Sequence, residues 1–337
     1  MPVRIAVDAM GSDHGPPAAV TGGLSAVRAC SDIQLSLVGD GGQIEPLLSG
    51  LEDGLRGRVE VVHASQVVAM HESPVQALRS KPDSSLVRLA KLVDQGAVDA
   101  IISAGNTGAF VGVCQLLIRP LAGVPRVALS VLIPAAPGAV VFLDVGANVE
   151  PKVHHLVAYA QLGSIFAEVV LGRSRPKVGL LNVGSEPDKG TGFYRQVREA
   201  LAGLPEIDFI GNLEGRDLYA GTADVVVTDG FTGNVVLKSL EGQFSSLSQV
   251  LRGAVSEASA EVGGALSRLL GELRRAHDYQ EYGGAHVLGA SAVCMKCHGS
   301  SDHRAFGSAV LRCAEAVRGG LLGALSSRII EREAQTS

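Results

Sequence analysis

Short runs of consecutive apolar residues alternate with amphipathic segments along most of this chain, and this alternation restricts its fold more than any other feature. Most of the runs lack polar alternation, so they predict strands that are covered on both faces. Predicted strands span residues 3–8, 33–39, 58–63, 99–103, 126–133, 139–144, 177–183 and 224–228. Predicted helices span residues 16–29, 84–95, 107–118, 151–170 and 232–251. The pattern predicts an α/β protein, a three-layer α/β/α sandwich with a mostly parallel sheet.

Glycine-rich polar turns directly follow several of these strands. They read SAGNTG at 103–108, DVGAN at 144–148 and TDGFTGN at 228–234. Glycine lets the backbone approach a ligand closely, and a helix that begins at such a turn directs its positive end there. We expect right-handed crossovers to gather these turns along one edge of the sheet. Several such turns together predict a phosphate-binding site.

Composition and charge exclude several classes of protein. The chain has 337 residues, 46% of them hydrophobic and 19% charged, enough for one large α/β domain over 1–337 or for two merged lobes. A net charge of -5, 4% aromatic residues and the absence of Trp argue against nucleic-acid binding. No apolar run is long enough to span a bilayer, and the first residues lack a signal-peptide pattern. The sequence therefore predicts a cytoplasmic protein.

Residues 241–277 depart from the alternation because their helical signal continues without a strand. We predict a projecting helical pair, in which leucines at helical spacing lie beside Arg268, Arg274 and Arg275. A dimer interface or a packed surface helix is the favoured interpretation. Contact with a membrane surface is the alternative, and the two roles are compatible.

Cysteine spacing raises one cofactor hypothesis. The five cysteines are an odd, scattered set, which fits a reducing compartment better than a disulfide framework. Cys294, Cys297 and His298 match the CxxCH pattern of haem attachment. Their neighbours indicate a buried strand, however, and residues three apart on a strand point to opposite faces. The two thiols are therefore predicted not to converge on a ligand.

Familiar catalytic motifs are missing from the sequence. The segment at 184–191 has its lysine before the glycine, so it is not a nucleotide-binding P-loop. The chain also lacks the glycine fingerprint of dinucleotide-binding folds, the GxSxG nucleophile elbow and the HExxH zinc motif. These absences weaken assignments to dinucleotide-binding dehydrogenases, serine hydrolases and metalloproteases.

A series of motifs in order along nearly the whole chain carries a family resemblance. They read IAVDAMGSD at 5–13, VVHAS at 61–65, SAGNTGA at 103–109, LDVGAN at 143–148, FIGNLEGRDL at 209–218, DGFTGNVVLK at 229–238, YGGA at 282–285 and HGSS at 298–301. Together they closely resemble the bacterial phosphate acyltransferases of phospholipid synthesis. The resemblance implies transfer of a fatty acyl group from acyl-acyl-carrier-protein to inorganic phosphate, with acyl phosphate as product.

The same resemblance implies further properties. The fold is expected to resemble that of isocitrate and isopropylmalate dehydrogenases. The enzyme is expected to be a homodimer that associates peripherally with the inner face of the membrane. Its product is expected to feed a membrane glycerol-3-phosphate acyltransferase. We expect neither a cofactor nor a metal, because phosphorolysis of a thioester needs none.

Phosphate is itself the nucleophile in such a reaction, so the protein must hold the anion, direct it at the thioester carbonyl and stabilise the oxyanion. We assign compensating charge to Lys189, donation to the tetrahedral oxygen to Asn234, and protonation of the leaving thiolate to His298. Asn148 and the amides of 299–301 are alternative oxyanion donors. The predicted phosphate-binding residues are Gly105, Asn106, Thr107, Gly108, Asn148, Gly230, Thr232, Gly233 and Ser300. The predicted docking residues for the acidic carrier protein are Arg79, Lys81, Arg268, Arg274 and Arg275.

Other interpretations of these residues stay open. The Gly-Asn-Thr-Gly turn is also an ordinary helix cap. Four strand-end aspartates are expected to bind turn amides rather than a metal, namely Asp8, Asp13, Asp144 and Asp229. The alternative functions are a phosphotransacetylase, a metal-dependent dehydrogenase of similar fold and a non-catalytic membrane scaffold.

Overall fold

The computed structural model describes residues 2–135, 138–257, 262–264, 266–268, 271 and 283–336. Within them, eleven strands form one sheet. The strands are β1 (Val3–Asp8), β2 (Ile33–Gly39), β3 (Val59–His63), β4 (Ala100–Ser103), β5 (Ala128–Pro134), β6 (Ala139–Leu143), β7 (Lys177–Leu181), β8 (Asp208–Leu213), β9 (Val225–Val227), β10 (Ala285–Leu288) and β11 (Val293–Lys296). Their order is β3-β2-β1-β4-β11-β10-β5-β6-β9-β7-β8.

Helices cover both faces of this sheet. They are α1 (Pro16–Ala29), α2 (Gly41–Ile44), α3 (Asp53–Arg56), α4 (Pro74–Ser80), α5 (Ser85–Asp94), α6 (Thr107–Gly112), α7 (Val153–Leu171), α8 (Gly192–Ala202), α9 (Gly230–Glu257), α10 (His303–Arg318) and α11 (Leu321–Thr336). Single turns of 3-10 helix lie at Glu45–Leu48 and Gly215–Tyr219, and a π-helical turn at Val113–Ile118 continues α6. One apolar core joins the sheet to α1, α7, α8, α10 and α11, and a second core joins it to α4, α5, α6 and α9. The predicted α/β/α sandwich is confirmed.

The buried cysteines illustrate how the strands feed both cores. Cys294 belongs to the core on the α9 face, and Cys297 belongs to the core on the opposite face. The prediction that these two thiols do not converge is therefore confirmed. A strand periodicity of two residues accounts for the separation.

The expectation that all the glycine-rich turns share one sheet edge is wrong. Three antiparallel pairs, β11–β10, β10–β5 and β5–β6, interrupt an otherwise parallel sheet. An odd number of reversals makes β6, β9, β7 and β8 run opposite to β3, β2, β1, β4 and β11. The carboxyl ends of the strands therefore form two groups, which we call the Asp8 edge (turns after β1, β4 and β11) and the Asp144 edge (turns after β6, β9 and β7).

Helix α9 connects the two edges. It begins at Gly230 on the Asp144 edge, and Val236, Leu237 and Leu240 pack against the core on its face of the sheet. Burial lowers the pKa of His298 at the Asp8 edge, and the charge of Lys238 on α9 lowers it further. Helix α9 thus begins at the Asp144 edge and carries Lys238 toward the Asp8 edge.

The predicted helical pair at 241–277 is described only in part. Helix α9 carries the helical signal to Glu257, whereas Arg274 and Arg275 lie outside the described residues. The role of this region in a dimer or at a membrane stays a prediction. Among the residues that the structure describes, no helix has the length and hydropathy needed to cross a membrane.

Candidate active site

Three neighbouring parallel strands end in a row of buried polar residues at the Asp8 edge. Asp8, Ser103 and Lys296 are the last residues of β1, β4 and β11, and Lys296 lies opposite Ser103 in the strand register. The side-chain hydroxyl of Ser103 donates to Asp8 Oδ2 at 2.7 Å. The exposed fractions of the three residues are 1%, 0% and 6%. A carboxylate and an ammonium group therefore share one buried row.

This row holds the three turns of the Asp8 edge together. The amide of Gly105 donates to Ser103 Oγ at 3.0 Å, and the amide of Asp13 donates to the carbonyl of Gly299 at 2.8 Å. Gly11 packs directly on Gly105, because a Cβ at Gly11 would lie 2.4 Å from the Gly105 nitrogen. No other residue type fits there without moving the backbone. The turns after β1, β4 and β11 consequently form one bonded cluster.

Lys296 is the functional candidate that sequence reasoning missed. Its Nζ donates to the carbonyl oxygen of Cys297. Burial lowers the pKa of Lys296 to about 8, although the nearby charge of Asp8 opposes the shift. The available signal was a lysine at the end of an apolar strand, since buried lysines are rare and often functional.

His298 follows this strand end and is bonded to Ser300. The ring Nδ1 lies 2.7 Å from Ser300 Oγ and accepts the Ser300 amide at 3.2 Å. Burial and the positive charge of Lys238 lower the pKa of His298, which keeps the ring neutral at neutral pH. With Nδ1 accepting, the neutral ring carries its proton on Nε2. His298 thus carries a hydrogen-bond donor at Nε2, whereas its predicted transfer of a proton to the leaving thiolate stays a prediction.

At the Asp144 edge a carboxylate organises the turn. Asp144 Oδ1 accepts the amides of Leu129, Gly146 and Ala147 at 2.9–3.1 Å. Asp144 Oδ2 accepts the backbone amide of Asn148 at 2.7 Å and its side-chain amide at 3.2 Å. The Asn148 side chain also donates to the carbonyl of Val127 at 2.8 Å, so both its protons are used inside the turn. Its predicted donation to a ligand would require it to leave these bonds.

The start of α9 is capped in the same way. Asp229 Oδ1 accepts the Thr232 amide at 2.8 Å, and Oδ2 accepts the Thr232 hydroxyl at 2.7 Å and the hydroxyl of Tyr194. The Gly230 amide donates to the carbonyl of Asn148 at 2.9 Å, and the Gly233 amide donates to the carbonyl of Asp229 at 2.9 Å. The amides that we predicted to cradle phosphate at this turn therefore already have partners in the protein.

The expectation that strand-end aspartates bind turn amides is confirmed for Asp8, Asp144 and Asp229, because Met10 donates its amide to Asp8 at 3.0 Å. Asp13 contributes its backbone amide instead. Within the part of the chain that the structure describes, no group of three His, Cys, Asp or Glu side chains is arranged to hold a metal ion.

Asn234 and Lys189 lie at the Asp144 edge. The Asn234 side chain is exposed and lies over Gly146. A Cβ built at Gly146 would lie 3.7 Å from Asn234 Oδ1. It makes no hydrogen bond to the described residues, so its amide is available to a ligand. Lys189 is 45% exposed, and its Nζ lies 3.7 Å from Glu186 Oε1. The structure brings His298 and Ser300 together but places Asn234 and Lys189 at the other edge.

Asn106 joins the turn after β4 to the segment before α4. Its Nδ2 lies within 3.0–3.2 Å of the carbonyl oxygens of Ala69, Met70 and Glu72, and its Oδ1 accepts the amide of Ala109. The side chain is thus a helix cap and a loop anchor. The amides of Thr107 and Gly108, in the first turn of α6, keep the predicted phosphate-binding role as a prediction.

Replacing Asn106 separates these two structural roles. Asn106→Ala removes both the cap and the anchor, and we expect it to lower the free energy of unfolding by about 2 kcal/mol. Asn106→Asp keeps an acceptor for the helix cap but places a carboxylate oxygen against three carbonyls, so we expect a loss at least as large. Urea unfolding of both variants measures this. An Asn106→Asp variant as stable as the unmodified protein would show that the loop anchor contributes nothing.

The predicted docking cations are not equivalent. Arg79 and Arg268 are exposed. Lys81 is bound to Glu72 Oε2 at 2.6 Å and to the carbonyl of Val67 at 2.8 Å, so its charge is already engaged. Arg274 and Arg275 lie outside the described residues.

The fold is shared with two groups of solved structures. A phosphotransacetylase from Streptococcus pyogenes superposes with a TM-score of 0.59 at 16% identity and covers 94% of each chain. A 4-hydroxythreonine-4-phosphate dehydrogenase from Klebsiella pneumoniae superposes with a TM-score of 0.54 at 12% identity, over 93% of this chain and 99% of that one. The class defined at this level is therefore the α/β fold common to these phosphotransacetylases and dehydrogenases.

Sequence comparison resolves the family within this class. Residues 3–322 match the fatty acid synthesis protein family, and the chain belongs to it. A phosphate acyltransferase from Geobacillus sp. (strain WCH70) is 42% identical over 97% of this chain and 98% of its own length. A phosphate acyltransferase from Bacillus subtilis (strain 168) is 40% identical over 98% and 99%.

Proposed function

We propose that this protein is a phosphate acyltransferase, which transfers a fatty acyl group from a thioester to inorganic phosphate for phospholipid synthesis. The observation that carries the proposal is the identity of about 40% to proteins of that name over nearly the full length of both chains. The site is compatible with this chemistry. It offers two lysines (Lys189 and Lys296), the neutral ring of His298 and the free side-chain amide of Asn234. The reaction itself requires no covalent nucleophile on the protein.

The reaction balances with these groups. A phosphate oxygen attacks the thioester carbonyl, and the carbonyl oxygen becomes an oxyanion that needs a hydrogen-bond donor. The carbon–sulfur bond then breaks, and sulfur leaves with the bonding electron pair as a thiolate. Asn234 is assigned as the donor to the oxyanion and Lys189 as a nearby compensating charge. Positioning of the two substrates supplies the remainder of the rate enhancement.

Exposed apolar side chains near Asn234 support a lipid-like acyl donor. Phe231 and Val235 lie one turn apart on α9 and are 62% and 53% exposed. Val149 and Val183 belong to the adjoining turns and are 58% and 82% exposed. Apolar side chains grouped at a polar rim are typical of binding surfaces for apolar ligands. We assign the acyl chain to this rim.

The donor thioester is proposed to be acyl-acyl-carrier-protein. An acidic carrier would meet exposed cations such as Arg79 and Arg268, and this attraction would mainly increase the rate of encounter. The homodimer, peripheral membrane association and transfer of the product to a membrane glycerol-3-phosphate acyltransferase are proposals of the same kind. Sedimentation and vesicle flotation of the purified protein test the first two.

The activity is tested by incubating the purified protein with long-chain acyl-carrier-protein and phosphate and trapping acyl phosphate as a hydroxamate. We expect hydroxamate that depends on phosphate, and a KM for the carrier that rises with ionic strength. The controls replace the long-chain carrier by its acetyl form and by acyl-coenzyme A. Product formed from the coenzyme A thioester but not from the carrier would favour the phosphotransacetylase alternative. Absence of hydroxamate with every donor would contradict the proposal.

A further inference from the structure

The ammonium group of Lys296 is buried, and none of the described carboxylates pairs with it closely. Lys296 is 6% exposed, and no carboxylate oxygen of the described residues lies within the 4.0 Å of an ion pair from its Nζ. Its contact is an uncharged carbonyl, that of Cys297. Asp8 and Asp13 act on it only as more distant charges. Burying a cation without a paired anion is costly, so an anionic ligand at this point would be strongly favoured.

Two further nitrogen-bearing side chains lie within electrostatic range of this region. Lys296 points to the sheet face covered by α9, because Cys294, two residues earlier on β11, packs in the core on that face. Lys238 comes from α9, where its Nζ also donates to Glu241 Oε2 at 2.8 Å, and its charge acts on both Lys296 and His298. His298 lies two residues beyond Lys296 and carries its proton on Nε2. The strand end, the turn that follows it and the covering helix each contribute one donor.

Several of the other candidate donors for an anion have partners already. The amides of Gly105, Gly230, Thr232 and Gly233 are bonded to groups of the protein itself. Lys189 lies at the other edge beside Glu186. The cations at the Asp8 edge are therefore the groups best able to match a phosphate dianion, and ammonium–phosphate hydrogen bonds are among the stronger ones.

We propose that Lys296 is the principal ligand of inorganic phosphate, with Lys238 and His298 completing the site. This inference rests on the proposed function and adds the location of its nucleophile. Lys296 keeps its proton throughout the reaction, because it neutralises phosphate charge rather than transferring a proton. The Asp8–Ser103 bond holds the adjoining turn and the floor of the site. Lys296 is then a catalytic residue, since it touches the attacking phosphate.

Replacing Lys296 by methionine keeps an unbranched side chain of nearly the same length and removes the charge. We expect Lys296→Met to raise the KM for phosphate at least a hundredfold and to leave the KM for the acyl donor unchanged. The matched control is Lys177→Met, an exposed lysine at the start of β7, which is expected to behave like the unmodified enzyme. Calorimetric titration with inorganic phosphate alone measures the loss of binding without turnover. Phosphate binding by Lys296→Met at the unmodified affinity would overturn the proposal.

The pH dependence of phosphate binding gives a second measurement on the unmodified protein. The pKa of Lys296 is lowered to about 8 by burial, so the ammonium is lost as the pH rises through that value. The charged and titratable groups facing it are Asp8, Asp13, Lys238, Cys297 and His298. We expect the KM for phosphate to rise above about pH 8 in the unmodified enzyme. A flat profile across this range would contradict the proposal even if the methionine variant fails to fold.

The proposed function and the proposed phosphate site can be refuted independently. Calorimetric phosphate binding that Lys296→Met abolishes, in a protein that forms no acyl phosphate, would refute the proposed function and support the phosphate site. Acyl phosphate formation with an unchanged phosphate KM in Lys296→Met would refute the site and leave the function standing. Thermal unfolding checks the fold, and we expect the variant to be no less stable because replacing a buried charge by an apolar group is often neutral or stabilising.

Discussion

Replacing Asn234 by alanine is expected to lower the kcat for acyl phosphate formation about a hundredfold. Its amide lies over Gly146, is exposed and makes no hydrogen bond to the described residues. Removing this side chain is therefore expected to leave the free energy of unfolding unchanged. Its loss is expected to affect only the ligand that it binds. A donor to a developing oxyanion acts mainly in the transition state, so kcat is expected to fall while the KM for phosphate changes little. Steady-state kinetics with the hydroxamate assay measure both constants.

Two companion variants make this prediction specific. Asn234→Asp has nearly the same size but presents a carboxylate to the oxyanion, so its kcat is expected to fall at least as far as that of the alanine variant. Ser239→Ala changes an exposed residue further along α9 and is expected to leave kcat unchanged. An Asn234→Asp enzyme with full activity would remove Asn234 from the reaction, because no donor would remain at that position.

The layered fold was predictable because its signals are local. Strand β2 and helix α1 have the bounds that the sequence predicts. A continuous apolar run marks a doubly covered strand, and prolines at the first turn mark where α1 begins. These signals depend only on residues that are neighbours in the sequence, so they can be recognised without knowledge of the tertiary structure.

The direction of the strands was not predictable from the same signals. Strand β10 is four residues long and pairs antiparallel with both β11 and β5. An apolar run indicates burial, but it carries no information about the direction of its neighbours. The two pairings of β10 cancel, and the expectation of a single edge failed because β6 pairs antiparallel with β5, which reverses β6, β9 and β7 relative to β1, β4 and β11. The site consequently depends on α9, which carries Lys238 toward the Asp8 edge while Asn234 stays beside Gly146.

The glycine-rich turns were located correctly, but the chemistry that they offer was only half predictable. Sequence reasoning expected Asp144 and Asp229 to bind turn amides, and it also expected some of the same amides to bind phosphate. Both expectations draw on the N–H groups of Asn148 and Thr232, and the carboxylates take them. Only the hydrogen bonds in the folded protein reveal which acceptor prevails. The same geometry directs attention to side-chain cations and thus to Lys296.

Replacing Gly233 by alanine is expected to disable the enzyme through the position of α9. A Cβ at Gly233 would lie 1.9 Å from the carbonyl oxygen of Asp144 and 3.0 Å from Thr228 Cγ2. The first turn of α9 must then move away from the Asp144 edge. We expect a loss of about 1–3 kcal/mol in the free energy of unfolding, as for overpacked cores. A displacement of about 1 Å at Asn234 is expected to lower kcat by about a hundredfold.

Gly242→Ala, on the same helix, is the control that distinguishes the effect of helix propensity from the effect of steric contact. Nothing lies within 4 Å of a Cβ built at Gly242, so Gly242→Ala is expected to stabilise the protein by about 0.5–1 kcal/mol and to leave kcat unchanged. Gly233→Ala gains the same helical propensity but meets a carbonyl oxygen. Urea unfolding and steady-state kinetics of the two variants therefore isolate the contact between α9 and Asp144. If both substitutions stabilised the protein and preserved kcat, close packing of α9 on this turn would not be needed for catalysis.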